Sequence, residues 1–305
     1  MKKYLQGFFL LFLLQTEFVS AQQITPLSNF MYNQMVYNPA SAGMHEAQFN
    51  VSTIARLQYA GVDGGPKTGL LWSDYRFKSN KMAVGLNVGT TSYGIQKNTD
   101  VNLNYAYYVK LNKKLKLAMG LRAGFNSLTS DVNKAQYWDD GDQVIANSGY
   151  KKVTPNIGLG FQLNGRNAYI GIASSDFVTA TRIDAVTKDT ASSFFKRKRN
   201  INLMAGAKLR LGDLYNLRPN IAMFYYPDSK LLTKINATFE VKDYFWAGLT
   251  YSTNKYVAIN LGTNISSRIR FGYAFETYVG ASGAGLYTHE LNLMIKLDNL
   301  FRTKN

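Results

Sequence analysis

The stretch that decides the fold is Leu115-Lys116-Leu117-Ala118-Met119-Gly120-Leu121-Arg122-Ala123-Gly124-Phe125. Every odd position is apolar, while the even positions hold Lys, Ala, Gly, Arg and Gly. Successive side chains of a strand point to opposite faces, so this period of two predicts a strand with one greasy face and one polar or small face. The pattern returns in Ile201, Leu203, Ala205, Ala207, Leu209 and Leu211 against Asn202, Lys208 and Arg210. It returns again in Val257, Ile259, Leu261 and Ile265 against Asn260 and Asn264.

Two architectures produce such strands. One is a soluble sandwich or barrel with the greasy face inward, and the other an outer-membrane barrel with that face toward lipid and a polar lumen. Strands of about 10 to 13 residues fit a tilted membrane crossing better than a soluble sheet. Tyr105-Ala106-Tyr107-Tyr108, Phe224-Tyr225-Tyr226 and Tyr244-Phe245-Trp246 gather aromatics near strand ends, as girdles would. The pattern gives about fourteen strands, starting near Gln48, Lys67, Met82, Thr99, Leu115, Val153, Ala168, Ile201, Leu217, Leu231, Tyr244, Tyr256, Arg268 and Tyr287.

The connections sort by parity. Ser79-Asn80-Lys81, Asn112-Lys113-Lys114, Asn164-Gly165-Arg166-Asn167, Gly212 to Asn216, Lys242-Asp243 and Ser266-Ser267 are tight turns at every second position. The alternate set holds the long connections, about 128–152, 174–200 and 278–286. An outer-membrane barrel predicts this, with short periplasmic turns, long external loops and both termini periplasmic. The fold class read from the sequence is therefore all-β: a transmembrane, antiparallel outer-membrane β-barrel.

The chain begins with Lys2-Lys3, an apolar run from Tyr4 to Leu14 and the small-residue site Val19-Ser20-Ala21. This is the form of a cleaved signal peptide, residues 1–21, because the run is too short for a spanning helix. Residues 22–47 then form a periplasmic N-terminal segment, and 48–305 the barrel. The formal charge of +16 becomes +15 once Lys2, Lys3 and Glu17 are removed. For an exported chain, such a surplus favours lipid phosphates or acidic polymers as partners and not nucleic acid. With no cysteine and only His45 and His289, thiol chemistry and histidine-rich metal sites are excluded. No cofactor is implied.

If alternate greasy positions face lipid, the lumen inherits Arg56, Lys110, Lys116, Arg122, Lys208, Arg210, Lys234, Arg268, Arg270 and Lys296, with Glu240, Glu276 and Glu290 as the main acids. Such a lumen favours anions in a pore, grips an acidic segment of a partner, or closes on itself through internal pairing. A slot between Arg268, Arg270, Glu276 and Glu290 reads as a structural ion network. His289 and Glu290 fall on opposite faces of the last strand, which leaves a hydrolase without a positioned base. Outward loops offer Trp138, Asp139, Asp140 and Asp142, which lack the ligand spacing of a calcium loop. They also offer the basic run Phe194-Phe195-Lys196-Arg197-Lys198-Arg199.

Ahead of the first strand stands Asn38-Pro39-Ala40-Ser41-Ala42-Gly43. Pro39 biases Asn38 away from helix and Gly43 accepts a positive φ, so the segment is a fixed bend. It would lay Phe30 to Tyr37 against the barrel base or tuck them into the lumen as a partial plug. Phe30-Met31-Tyr32-Asn33-Gln34 with this bend, followed by Arg56-Leu57-Gln58-Tyr59 and Gly61-Val62-Asp63-Gly64-Gly65-Pro66-Lys67-Thr68, resembles the PorP/SprF family of the type IX secretion system in Bacteroidetes. That family shows an Asn-Pro-Ala-x-x-Gly bend, then Arg-x-Gln-Trp and a Gly-x-Pro-x-Thr hairpin. Tyr59 stands here where Trp is common. Thr288-His289-Glu290 matches a feature of the family's last strand.

The resemblance implies an integral outer-membrane barrel that serves secretion without catalysing a reaction. It implies partners in the secretion or motility machinery, and a secreted surface protein, such as an adhesin or a gliding-related protein, bound through its C-terminal domain. Partner choice falls to the outward hairpin with Gly61, Asp63, Gly64 and Pro66 and to the two loops above. Asn33, Asn38, Pro39 and Gly43 set the periplasmic bend. The alternative function is a passive anion-preferring porin.

Overall fold

The computed structural model describes residues 26–45, 47–131, 150–179, 200–227, 230–242, 244–280 and 286–298. Alternation decides its architecture. Leu103 is 64% exposed, whereas its neighbours Asn102 and Asn104 are 6% and 2% exposed. The same inversion holds at Arg56 and Leu57 and along every well-patterned strand. A soluble sheet would bury Leu103 and solvate the two asparagines. Here the greasy register faces out and the polar register in, which suits lipid outside and a packed polar interior.

The strands are β1 Phe49–Ala60, β2 Lys67–Arg76, β3 Met82–Tyr93, β4 Gln96–Lys110, β5 Lys116–Ser130, β6 Tyr150–Asn164, β7 Ala168–Thr179, β8 Ile201–Ala207, β9 Leu209–Leu211, β10 Tyr215–Tyr225, β11 Leu232–Val241, β12 Phe245–Ser252, β13 Tyr256–Asn264, β14 Ile269–Tyr278 and β15 Tyr287–Leu297. All neighbouring pairs are antiparallel. β8 and β9 pair with β10 in one continuous register, Gly206 to Asn220 and Arg210 to Asn216, so they are two stretches of a single crossing. Fourteen crossings result. β1 pairs with both β2 and β15, and β10 with β11, so the sheet closes into a barrel.

The strand starts lie within a few residues of those read from the sequence. Short turns gather at one end, at 77–81, 111–115, 165–167, 212–214 and 265–268, and the brief connection from β11 to β12 lies at the same end. The opposite end carries the long connections together with tight ones at 94–95 and 253–255. At that end a register shift in β1 between Gln58 and Ala60, with Tyr59 at φ 56°, turns Tyr59 off the lipid face. Its hydroxyl lies 3.3 Å from that of Tyr256. The aromatic clusters also divide. Tyr107 and Tyr225 face outward and Tyr244 is exposed in a turn, but Tyr108, Phe224 and Trp246 are buried on the inward register.

The outward register sets a depth-dependent cost. Leu103→Arg, in the middle of β4, is expected to destabilise the barrel by about 2–4 kcal/mol, and Leu111→Arg, at a turn, by about 0–1 kcal/mol. Equilibrium folding into lipid vesicles measures both. Equal costs would contradict the outward placement of Leu103.

Candidate functional site

The interior is filled by the chain's own N-terminal segment. Residues 26–43 are almost all buried, with Phe30, Met35, Ala40 and Ala42 fully so. Their local structure is slight: 3-10 turns at Phe30–Tyr32 and Pro39–Ser41 and the single-turn helix α1 Gln34–Tyr37. Such short pieces are unstable alone and leave most of their backbone groups unpaired. The inward register supplies the missing partners. Arg122 donates to the Met35 and Val36 carbonyls, and Ser175 and Asn202 donate to that of Tyr37 at 3.0 Å each. Asn260 reaches the Ser28 carbonyl and the Asn29 side chain.

The segment touches all fourteen crossings. On one side lie Arg56, Trp72, Asn87, Tyr108, Arg122, Gln162 and Ser175, from β1 to β7. On the other lie Asn202, Phe224, Lys234, Trp246, Asn260, Glu276 and Glu290, from β8 and β10 to β15. Of the two places open to the segment, barrel base or lumen, it occupies the lumen.

A buried ion cluster fixes its leading end. Arg56 bridges Glu276 and Glu290 at 2.8 Å each, and Lys234 reaches Glu276 at 3.2 Å. Glu290 accepts the backbone N–H groups of Ser28 and Asn29 at 2.8 and 2.9 Å. The Ser28 hydroxyl donates to Glu276, and Lys234 donates to the Pro26 carbonyl at 2.8 Å. Two cations thus meet two carboxylates, with the remaining oxygens taken by backbone donors. Burial of four charges is tolerable only because each carboxylate meets a cation and further donors. The Tyr37 hydroxyl accepts the Leu27 N–H at 2.8 Å.

Lys234, Glu276 and Glu290 stand close to the long-loop ends of their strands, whereas Gly43 meets Asp74 and Tyr108 toward the short turns. The segment therefore descends the lumen from the long-loop half to the short-turn rim, where it enters β1. The bend makes that exit. Asn38 is extended at φ −137°, and its side chain accepts the Ala40 N–H at 2.9 Å. Gly43 has φ 70° and donates its N–H to Asp74 at 2.8 Å. The barrel wall is shaped to match, because a Cβ on Gly120 would overlap the Ala40 backbone and one on Gly160 the Asn38 side chain. Asn33 Oδ1 accepts from Trp72 at 2.8 Å and from Asn292 at 3.2 Å. Asn33, Asn38, Pro39 and Gly43 are thus brought together inside the barrel.

The basic residues separate into two sets. Arg56 and Arg122 lie in the lumen, but Lys110, Lys116, Arg210 and Arg268 are exposed at the short-turn rim, with Lys208 and Lys296 half-buried beside them. The expected slot of Arg268, Arg270, Glu276 and Glu290 does not form, because the two acids sit near the other end of β14 and β15. Arg270 instead pairs with Glu240 at 3.5 Å and lies 3.8 Å over the Tyr32 ring, while Arg218 holds Glu240 at 2.8 Å. His289 keeps to the outward register, with Nδ1 2.8 Å from the Tyr273 hydroxyl, opposite in sense to buried Glu290. Gly61, Asp63, Gly64 and Pro66 form an exposed or half-exposed hairpin with Gly61 at φ 91° and Gly64 at φ 75°. Trp138, Asp139, Asp140 and Asp142, and Phe194, Phe195, Lys196, Arg197, Lys198 and Arg199, lie outside the described residues.

Sequence reasoning missed Ser28, Trp72, Asp74, Gln162 and Ser175 as partners of the segment. A signal was present in the inward asparagines Asn87, Asn202, Asn260 and Asn292. A carboxamide both donates and accepts, so a wall rich in them suits an occupant that presents bare backbone.

A filled lumen is expected to be electrically silent in planar bilayers, and deletion of residues 26–43 to produce steady conductance. Arg56→Ala strands two buried carboxylates, at a cost of about 3–5 kcal/mol to the seated state. It is expected to give intermittent openings and faster proteolysis of the segment. Conductance of the unaltered barrel equal to that of the deletion would refute the seal.

No curated protein sequence matches the chain. Among solved structures it is similar to the CymD monoaromatic hydrocarbon channel, with TM-score 0.53 and 11% identity over 87% of this chain and 93% of that one. It is also similar to the Acinetobacter baumannii outer membrane protein Omp33, with TM-score 0.49 and 10% identity over 82% and 98%. At 11% identity the likeness to CymD is one of fold. The family described as type IX secretion system membrane protein PorP/SprF matches residues 19–295. With an apolar outer band, a closed fourteen-crossing barrel and that match across nearly its whole length, the chain belongs to the PorP/SprF family of integral outer-membrane proteins of type IX secretion.

Proposed function

We propose that this protein is a non-enzymatic outer-membrane component that binds, helps export or anchors a secreted surface protein through that protein's C-terminal domain. Residues 1–21 would be removed as a signal peptide. The observation that carries this reading is the lumen occupied by residues 26–43, in contact with every crossing. A barrel so filled has its working surfaces at its two ends, which favours a docking role over free diffusion through the centre. The family membership supplies the secretion context. The exposed hairpin Gly61–Pro66 and the loops with Trp138 to Asp142 and Phe194 to Arg199 are the proposed cargo-facing elements, since loops on a rigid scaffold carry partner choice.

Tagging an outward loop, solubilising the native outer membrane in mild detergent and identifying co-purifying proteins by mass spectrometry tests the proposal. The expected result is a large secreted protein recovered through its C-terminal domain, with or without secretion subunits. A barrel recovered alone would overturn it in favour of the anion-preferring porin, which must then conduct.

A further inference from the structure

We propose that the short-turn mouth of the barrel docks an acidic polypeptide segment that enters it along the barrel axis. This goes beyond the cargo reading, because it concerns the other end of the molecule and does not depend on what the outward loops hold. In outer-membrane barrels the short-turn end is periplasmic.

The cations at this mouth form three groups on the inward register. Lys110 and Lys116 stand directly opposite one another across β4 and β5, on the same face as buried Tyr108 and Ala118. Lys208 and Arg210 lie on the inward register of the β8–β9 crossing, next to Arg218 of β10. Arg270 on β14 shares Glu240 with Arg218. Two to four strands separate each group from the next around the sheet, so the charge encircles the opening.

Compensation is slight. Among the described acids at this end, Glu240 offsets Arg218 and Arg270, Asp74 is buried accepting from Gly43 and Asn50, Asp298 accepts the Gln48 N–H, and Asp213 sits in an exposed turn. Like charges facing each other across a strand pair, as Lys110 and Lys116 do, are unfavourable unless an anion lies between them. The deep ion cluster differs, because it is neutral.

Placement selects the partner. Phosphates of surrounding lipid would be met by cations on the outward register, but that register here carries Val109, Leu117, Leu209, Leu211 and Leu217. The inward groups instead border the lumen mouth: Lys110 and Lys116 share the face of Tyr108, which holds the Ala42 carbonyl, and Arg270 lies over Tyr32 of the seated segment. A short run of Asp or Glu side chains fits this ring through charge-assisted hydrogen bonds from several directions, and the field draws it in.

The probe is a fluorescein-labelled oligoglutamate peptide, and the readout is fluorescence anisotropy with the full-length protein in neutral-lipid nanodiscs. Binding that weakens as salt rises is expected. Lys110→Gln with Lys116→Gln, and separately Lys208→Gln with Arg210→Gln, should each weaken it roughly tenfold or more. Lys110→Arg with Lys116→Arg should retain it. Lys97→Gln with Lys151→Gln, at the long-loop end, should leave it unchanged. Thermal melting confirms that each variant is folded. Absence of binding, or equal loss in the long-loop variant, would overturn the proposal. So would mouth variants that shed co-purifying anionic phospholipid while still binding peptide, a result that assigns the ring to lipid.

Discussion

The two bonds from Arg56 to Glu276 and Glu290 are the interaction on which the rest of the interior depends. Arg56 is directly opposite Glu290 in the register where the first and last strands meet. The seam that closes the barrel therefore contains half of the charge cluster that seats the N-terminal segment. Glu290 is satisfied only when Ser28 and Asn29 present their N–H groups, and Glu276 only when Lys234 and Ser28 are in place. Closure and seating are thereby coupled, since either one alone leaves a carboxylate short of partners in a water-poor interior.

The same coupling accounts for the wall. A sheet of fourteen crossings has a lumen too wide for its own side chains to fill, and an open one would be lined with water. The segment solves the packing with little regular structure, and so exposes backbone that asparagine, serine, arginine, glutamate and lysine side chains satisfy. Phe224, Trp246 and Tyr108 complete it with apolar surface against Tyr37, Tyr32 and the bend. These aromatics look from sequence like members of a lipid girdle. Their register shows that they serve the interior, because a strand places only alternate residues on lipid.

How far the sequence could be read follows from which features are local. The period-two strands, the parity of the connections and the bend at Asn38 to Gly43 are properties of short stretches, and each was legible. The segment's position was legible only as a choice of two, because its contacts join residues more than two hundred positions apart, as Ser28 does with Glu276 and Glu290. The slot proposed for Arg268, Arg270, Glu276 and Glu290 failed for a related reason. Those residues share one face, but the face runs the length of the barrel, and depth along it is set by strand ends that alternation does not specify. Arg270 lies near the short turns and finds Glu240, while Glu276 lies near the long loops and finds Arg56.

Depth also separates the two kinds of positive charge. Arg56, Arg122 and Lys234 are committed to carboxylates and carbonyls inside, where an unpaired charge is prohibitive. Lys110, Lys116 and Arg210 sit where water can solvate them, so the fold does not need them to be paired. A residue that the fold does not require, repeated on the inward register around one mouth, is free to serve recognition. The interior charges hold the barrel shut, and the rim charges leave one end of the sealed barrel strongly attractive to anions.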